Sequence, residues 1–419
     1  MSSPATTSPI WHPFTQHALT PDFPLIESGE GAWLTAKSGE RLLDAISSWW
    51  VITHGHCHPK ITAAIQQQAA ILDQVIFAGY THQPAEDVAR GLVEIAPPGL
   101  AHVFFSDSGS TAVEVGLKMA LGYWRGVGKP RSRIIALEHA YHGDTIGTMS
   151  AGARGVFNAA YEPLLFEVDR LPFPAGNAQE CLAALERLAP AAAALIVEPL
   201  LLGAGGMLTY TPEILAVLKR ICEKHGTLFI ADEVLTGFGR TGTLFACEQA
   251  GVAPDILCLA KGLSGGALPL AATLASEAIF AAHYSADRAR TFFHSSSFTA
   301  NPIACAAAAA NLNIWKNEPV QTRVTALSAL QKQRLESFRG DSRFSALRHI
   351  GTVTALDLNV PDPGYMAGLG PELARFFQDR GLLLRPLGNT IYVLPPYCVT
   401  AAELDLVYDA VRLAAAKFV

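Results

Sequence analysis

The sequence predicts an α/β protein in which a large, mainly parallel sheet domain carries a smaller α+β domain. Three observations predict it. The middle of the chain alternates short apolar runs with helical patterns. Those runs are short and apolar on both faces, as buried parallel strands are. The two ends of the chain show instead a polar–apolar alternation and a long polar helix, which is an α+β pattern.

Taken in order, GAWLTAKSGERLLDA (31–45) alternates around a Ser-Gly turn and predicts a hairpin. The apolar runs at His102–Ser106, Arg133–Leu137, Ala194–Val197, Thr227–Ala231 and Ile256–Ala260 predict buried parallel strands. Helical patterns lie between them, for example Val113–Trp124 and Pro212–His225. From about Asn317 a polar helix is followed by RHIGTVTALDL and by LLLRPLGNTIYVLPPY. The expected division is a large domain over 47–316 and a small one built from 1–46 and 317–419.

Half of the 419 residues are hydrophobic and only 16% are charged, which is enough apolar material for two cores. The net charge of −6 and the absence of a Lys/Arg cluster argue against nucleic acid and leave a small molecule as the expected partner. The start, MSSPATTSPIWHPFTQ, has no basic segment leading into an apolar run, so it does not read as a secretory signal. No run of about 20 apolar residues occurs, so no membrane helix is expected. The seven cysteines, at 57, 181, 222, 247, 258, 305 and 398, are odd in number and unpaired in spacing, which argues against a disulfide framework. A soluble cytoplasmic protein is the expectation.

Ligands of open parallel sheets bind beyond the carboxyl ends of the strands. Four polar features fall there. Ser106-Asp-Ser-Gly-Ser-Thr111 ends one strand and opens a helix, so small residues and free N–H groups can take a phosphate; an ordinary helix cap explains it equally well. Asp232 ends a strand as a structural cap, as a metal ligand with Glu233, or as a proton holder for a pyridine nitrogen. Lys261 ends the next strand; alone it reads first as a surface lysine, but partial burial would lower its pKa and fit it for a Schiff base. Tyr141, in YHGD after the strand RIIAL, is either a loop tyrosine or a ring that stacks on a flat cofactor. Asp232 and Lys261 lie 29 residues apart, on successive strand ends. Together the four supply what pyridoxal phosphate requires: a Schiff-base lysine, an acid for the ring nitrogen, a phosphate cradle and a stacking ring.

IADEVLTGFGRTGTLFACE followed by PDILCLAKGLSGG resembles the class III aminotransferases, within the fold-type I pyridoxal-phosphate enzymes. The resemblance extends over nearly the whole chain. WHPFTQ, SSWW, HGHCHP, SDSGSTAVEVGLKMA, YHGDTIGTMS, FTANPIACAAA and RPLGNTIYVLPPY are similar to the members that aminate 8-amino-7-oxononanoate in biotin synthesis. The resemblance implies that Lys261 is the Schiff-base lysine, that Asp232 pairs with the pyridinium nitrogen and that Tyr141 lies over the ring. It implies that Gly109 and Ser110 hold the phosphate, that Trp49 and Trp50 line the substrate pocket and that Arg385 binds the substrate carboxylate. It places Ser296 and Ser297 as phosphate contacts donated by the second subunit of a homodimer, with Ser295 bordering the substrate.

Three positions depart from the family pattern. Phe14 replaces a tyrosine that borders the substrate, and relatives with phenylalanine there use lysine; S-adenosylmethionine is the favoured donor and lysine the alternative. Ser295-Ser-Ser297 replaces a Gly-Pro-Thr type, and Leu202 stands where glutamine is common. Two other readings remain: a class III enzyme acting on ω-amino acids, and a regulatory pyridoxal-phosphate-binding protein. His54-Gly-His56-Cys57-His58 reads as a loop entering the helix at Pro59 rather than as a metal site. Glu198 reads as a support of the site or a structural cap, and Arg240 as the partner of an acid. Ala304–Ala310 reads as tight helix packing.

Overall fold

The computed structural model describes residues 8–19, 23–176, 178–366 and 368–419; the N-terminal MSSPATT stretch, and residues 20–22 within the expected small domain, lie outside the described residues. Strands β1 (Ile26–Glu30), β2 (Trp33–Ala36) and β3 (Arg41–Asp44) form an antiparallel meander. The hairpin expected around Ser38-Gly39 is β2–β3, and its turn uses Gly39 at φ 86°.

The central sheet follows. Its strands are β4 (Leu100–Ser106), β5 (Arg133–Leu137), β6 (Asp169–Leu171) and β7 (Ala192–Val197). After a two-residue pairing of β8 (Leu201–Leu202) with β9 (Leu208–Thr209) come β10 (Leu228–Asp232), β11 (Ile256–Leu259) and β12 (Ala271–Ser276). The order across the seven strands is β4-β12-β11-β10-β7-β5-β6. All run the same way except β12, which is antiparallel to both neighbours. Every residue of β7, β10 and β11 is buried. Their continuous apolar runs are explained by helices on both faces of the sheet.

Two helices show how sequence becomes position. Pro212–His225 forms over the predicted span, with proline in its first turn and Gly226 closing it at φ 68°. Gly109–Gly126 starts earlier than predicted because Ser108 and Thr111 make a reciprocal capping box. Its buried Val113, Gly116, Leu117, Ala120 and Trp124 follow helical spacing. A Cβ on Gly116 would stand 3.2 Å from Cys258 Sγ, so the helix runs close over β11 and its N-terminus is held at the strand ends. The alanine-rich stretch lies on the helix Pro302–Asn317, where Ala304, Ala307 and Ala308 are buried, as tight packing requires.

The C-terminal strands are β13 (Phe344–Ile350), β14 (Val353–Leu358), β15 (Leu382–Leu383) and β16 (Thr390–Val393). β13-β14-β16 form an antiparallel sheet, while β15 joins β3 in parallel. The two chain ends therefore share a sheet. Trp33 Nε1 also donates to Glu403 Oε1, on the C-terminal helix Ala401–Phe418.

Candidate active site

The carboxyl ends of β4, β5, β7, β10 and β11 open on a cavity of about 570 Å³. Gly109, Ser110, Tyr141, Asp232 and Lys261 all line it, and so do Phe14, Trp49, Trp50 and Arg385. Nine of the twelve predicted positions thus meet in one space, drawn from segments spread over almost the whole chain.

Asp232 is buried at the end of β10. Its Oδ1 accepts from the Val234 N–H at 3.1 Å, and its Oδ2 lies 2.7 Å from His142 Nδ1. Those bonds fix the carboxylate toward the cavity. Glu233 turns the other way and accepts from the N–H groups of Ala246 and Cys247 at 2.7 and 2.9 Å. The two carboxylates therefore do not share a ligand site.

Lys261 follows β11 at the start of a short 3₁₀ turn, with φ 44°. Its Nζ lies 4.9 Å from the centre of the Trp50 ring. Although the side chain is partly open to the cavity, loss of hydration lowers its pKa to about 8; Asp232 and Glu198 oppose that shift. The lysine is no surface residue.

Gly109 begins the helix at the end of β4. A Cβ there would meet Val234 Cγ1 at 2.6 Å, so no side chain fits. Among the described residues no partner takes the N–H of Gly109 or Ser110, which leaves both as donors at a helix N-terminus. Ser110 Oγ accepts from the Asp144 N–H at 3.2 Å and keeps its own proton to donate. Tyr141 is positioned by Glu198, whose Oε1 accepts from the Tyr141 N–H and whose Oε2 accepts from the Gly203 N–H, both at 3.0 Å. Burial raises the Glu198 pKa to about 7 and, with Asp144 beside it, pushes the Tyr141 hydroxyl well above its usual range.

The tryptophans stand on strained backbone: Ser47, Ser48 and Trp50 have φ of 55°, 59° and 67°. Buried Asp44 holds this segment: its Oδ1 accepts from Ile46 N at 3.2 Å and its Oδ2 from Ser48 N at 2.6 Å, with His56 Nε2 at 2.8 Å from the same Oδ2. Trp50 Nε1 donates to the Tyr392 hydroxyl at 3.0 Å. At the mouth, Arg385 lies 5.2 Å from the Trp49 ring centre and donates to Phe14 O at 2.9 Å. Phe14 itself packs edge-on against Trp49 and Phe157.

Ser295, Ser296 and Ser297 do not line the cavity within one chain. Ser296 Oγ donates to Asp107, which does line it, and Ser297 O accepts from Gln74 Nε2. Leu202 is buried in the core and also lies outside the lining. Arg240 corrects an expectation: instead of an acid, its fully buried guanidinium donates to the carbonyls of Pro395 and Ile52 at 3.0 and 2.8 Å. His54 pairs with Asn311 at 2.8 Å, and among the described residues it belongs to no cluster of His, Cys, Asp or Glu that could hold a metal.

Sequence reasoning missed His142, Phe157, Tyr365 and Tyr392, all of which line the cavity. For His142 the signal was there: an imidazole next to Tyr141, in the loop after a strand. Phe157 and Tyr365 stand in loops with no periodic pattern to mark them.

The residues fit pyridoxal phosphate. A cradle that excludes a Cβ, two free N–H groups, a carboxylate held toward the cavity and an amine of lowered pKa are what phosphate, ring nitrogen and aldehyde need. The family model described as aminotransferase class-III matches residues 15–414. The chain belongs to the class-III aminotransferases. It is 48% identical over 413 residues to the adenosylmethionine-8-amino-7-oxononanoate aminotransferase of Synechococcus elongatus, covering 96% of this chain and 97% of that one. It is 39% identical to the enzyme of that name from Geobacter sulfurreducens, over 96% and 94% of the two chains. Among solved structures, the adenosylmethionine-8-amino-7-oxononanoate aminotransferase of Methanocaldococcus jannaschii superposes with a TM-score of 0.93 at 33% identity, covering 98% and 97%. A pyridoxal-phosphate-bound amine transaminase from an uncultivated Pseudomonas species superposes at 0.91 with 34% identity, covering 98% and 99%. This class-III aminotransferase is thus a pyridoxal-phosphate-dependent transaminase of fold type I.

Proposed function

We propose that this class-III aminotransferase converts 8-amino-7-oxononanoate to 7,8-diaminononanoate in biotin synthesis, with S-adenosylmethionine as the amino donor. The observation that carries the substrate is the wall of Trp49 and Trp50 ending at Arg385. It offers an apolar face to an aliphatic chain and a guanidinium to its carboxylate. The full-length relatives of that name support the same reading.

Pyridoxal phosphate bound here supplies a carbonyl for imine formation and an electron-withdrawing ring. Gly109 and Ser110 hold its phosphate through their N–H groups and the Ser110 hydroxyl. Asp232, oriented by His142 and the Val234 N–H, keeps a proton on the ring nitrogen. Tyr141 covers one ring face. Lys261 Nζ takes a proton from the reacting carbon of the donor and returns one to the acceptor's; its lowered pKa leaves a useful fraction of free amine near neutral pH. Trp49 and Trp50 exclude water from the substrate chain.

Lysine as donor is the second reading, because Phe14 presents no hydroxyl at the mouth. Purified protein given 8-amino-7-oxononanoate with each donor in turn decides: diaminononanoate from neither removes the substrate assignment, and diaminononanoate from lysine alone replaces the donor. Lys261→Ala should lose turnover and the cofactor band that borohydride fixes to protein.

The active form is a homodimer in which Ser296 and Ser297 of one subunit reach the phosphate of the other, with Ser295 beside the substrate. Exposed Ile71, Ile76, Phe293 and Phe298 support an interface; Gln74–Ser297 and Asn301–Asp73 hydrogen bonds tie their segments into one surface. The enzyme works in the cytoplasm, in keeping with seven free cysteines. Among the described residues, no helix is long and apolar enough to cross a membrane. Residues 47–316 form the large domain, and 1–46 with 317–419 form the small one.

A further inference from the structure

Lys261 holds a left-handed backbone conformation, φ 44°. A residue with a side chain keeps such a conformation only where its surroundings over-determine it. Here the determinant is on the helix Pro302–Asn317. Asn311 is fully buried there, and its Nδ2 donates to the carbonyls of Gly262 and Leu263, the two residues after the lysine, each at 2.9 Å. Carbonyls only accept, so the amide nitrogen must face them and Oδ1 must face away. Oδ1 lies 2.8 Å from His54 Nε2. An amide oxygen also only accepts, so His54 donates from Nε2. Burial lowers the His54 pKa to about 4, so the ring is neutral at pH 7 and Nδ1 carries the lone pair. That Nδ1 is buried with no partner among the described residues, so the donor side of the ring is committed to Asn311.

The rest of the turn is as tightly bounded. A Cβ on Gly262 would meet Phe238 Cβ at 2.9 Å, and one on Gly265 would meet Ile61 Cδ1 at 2.5 Å. His54 follows the Trp49–Trp50 segment, and its neighbour Thr53 donates from N to Gly265 O at 3.4 Å. Asn311 therefore joins three elements: the lysine turn, the tryptophan segment and the alanine-rich helix. Neither Asn311 nor His54 lines the cavity, so both act through the backbone.

We infer that Asn311, oriented by His54, is a positioning residue for Lys261, holding the left-handed turn that aims the lysine into the cavity. The inference rests on the reading of Lys261 as the Schiff-base lysine. The test compares Asn311→Ala, Asn311→Leu, His54→Leu and His54→Gln with the parent protein. Cofactor-free protein is titrated with pyridoxal phosphate while the visible band of lysine-bound cofactor is followed. Lys261 is also labelled with an amine-reactive reagent and the labelled peptide counted by mass spectrometry. Thermal unfolding shows which variants are folded.

Loss of one or two buried hydrogen bonds should weaken cofactor affinity about tenfold in Asn311→Ala, Asn311→Leu and His54→Leu, with a displaced band and altered labelling. His54→Gln should stay close to the parent, because its side-chain amide still donates to Asn311 Oδ1. If the Asn311 variants do not fold, the contrast between His54→Leu and His54→Gln carries the test. Folded Asn311 variants with unchanged affinity, band and labelling would overturn the inference, as would equal losses in the two His54 variants. A Lys261→Ala protein that kept the borohydride-fixed band would instead overturn the lysine reading itself.

Discussion

Lys261 is the residue on which the largest change of meaning falls. In the sequence it is a lysine at a strand end, and a surface position is its first reading. In the structure its amine stands at the floor of a cavity beside Trp50, and burial brings its pKa to about 8. In cofactor-free protein, labelling of Lys261 should therefore rise with pH around a midpoint near 8 rather than 10.5, because the neutral amine is the reactive form. A midpoint at the ordinary lysine value would show that the amine is fully hydrated. Arg385 makes the second prediction at this scale. Arg385→Ala should raise KM for 8-amino-7-oxononanoate by roughly 10-fold or more, the worth of a charge-assisted hydrogen bond. The methyl ester of the substrate should be a poor substrate of the parent enzyme yet differ little from the acid in Arg385→Ala. An ester used as well as the acid by the parent would place the carboxylate elsewhere.

At the scale of elements, the segment Ser47–Trp50 shows how a strained piece of chain is kept. Three of its four residues have positive φ, at about 1–3 kcal/mol each, and Asp44 accepts the N–H groups that this geometry frees. Asp44→Ala should cost about 2–4 kcal/mol of stability, since it removes several buried bonds, one of them to His56. Denaturant unfolding checks the stability, and a fall in substrate affinity larger than that in cofactor affinity would report displaced tryptophans. The elements also show what periodicity conveys. The helix Pro212–His225 is legible to the residue because proline and glycine mark its ends. β12 is not legible as a strand: AATLAS is small, mixed and short, and its antiparallel place between β4 and β11 is set by pairing alone. The tightness of the chain behind Lys261 is equally invisible locally, because Asn311 reads as one polar residue on an alanine-rich helix.

At the scale of the molecule, the site is assembled from segments that the fold brings together and, in the proposed dimer, from a second copy. Mixing Lys261→Ala chains with chains carrying Ser296→Ala and Ser297→Ala should restore activity, because half of the hybrid's sites would hold a native lysine facing native serines. No gain on mixing, with exchange of subunits shown by mass, would place those serines outside the neighbouring site. The sequence by itself determined the class of fold, the cofactor and the strand-end residues that meet at the cavity, because strand burial and the chemistry of phosphate, ring and imine each leave a local mark. Tertiary structure alone decided that His142 orients Asp232, that Arg240 binds carbonyls instead of an acid, and that Phe157 and Tyr365 line the cavity against each other. These contacts join residues far apart in the chain, and no local propensity distinguishes a side chain that turns toward the cavity from one that turns away.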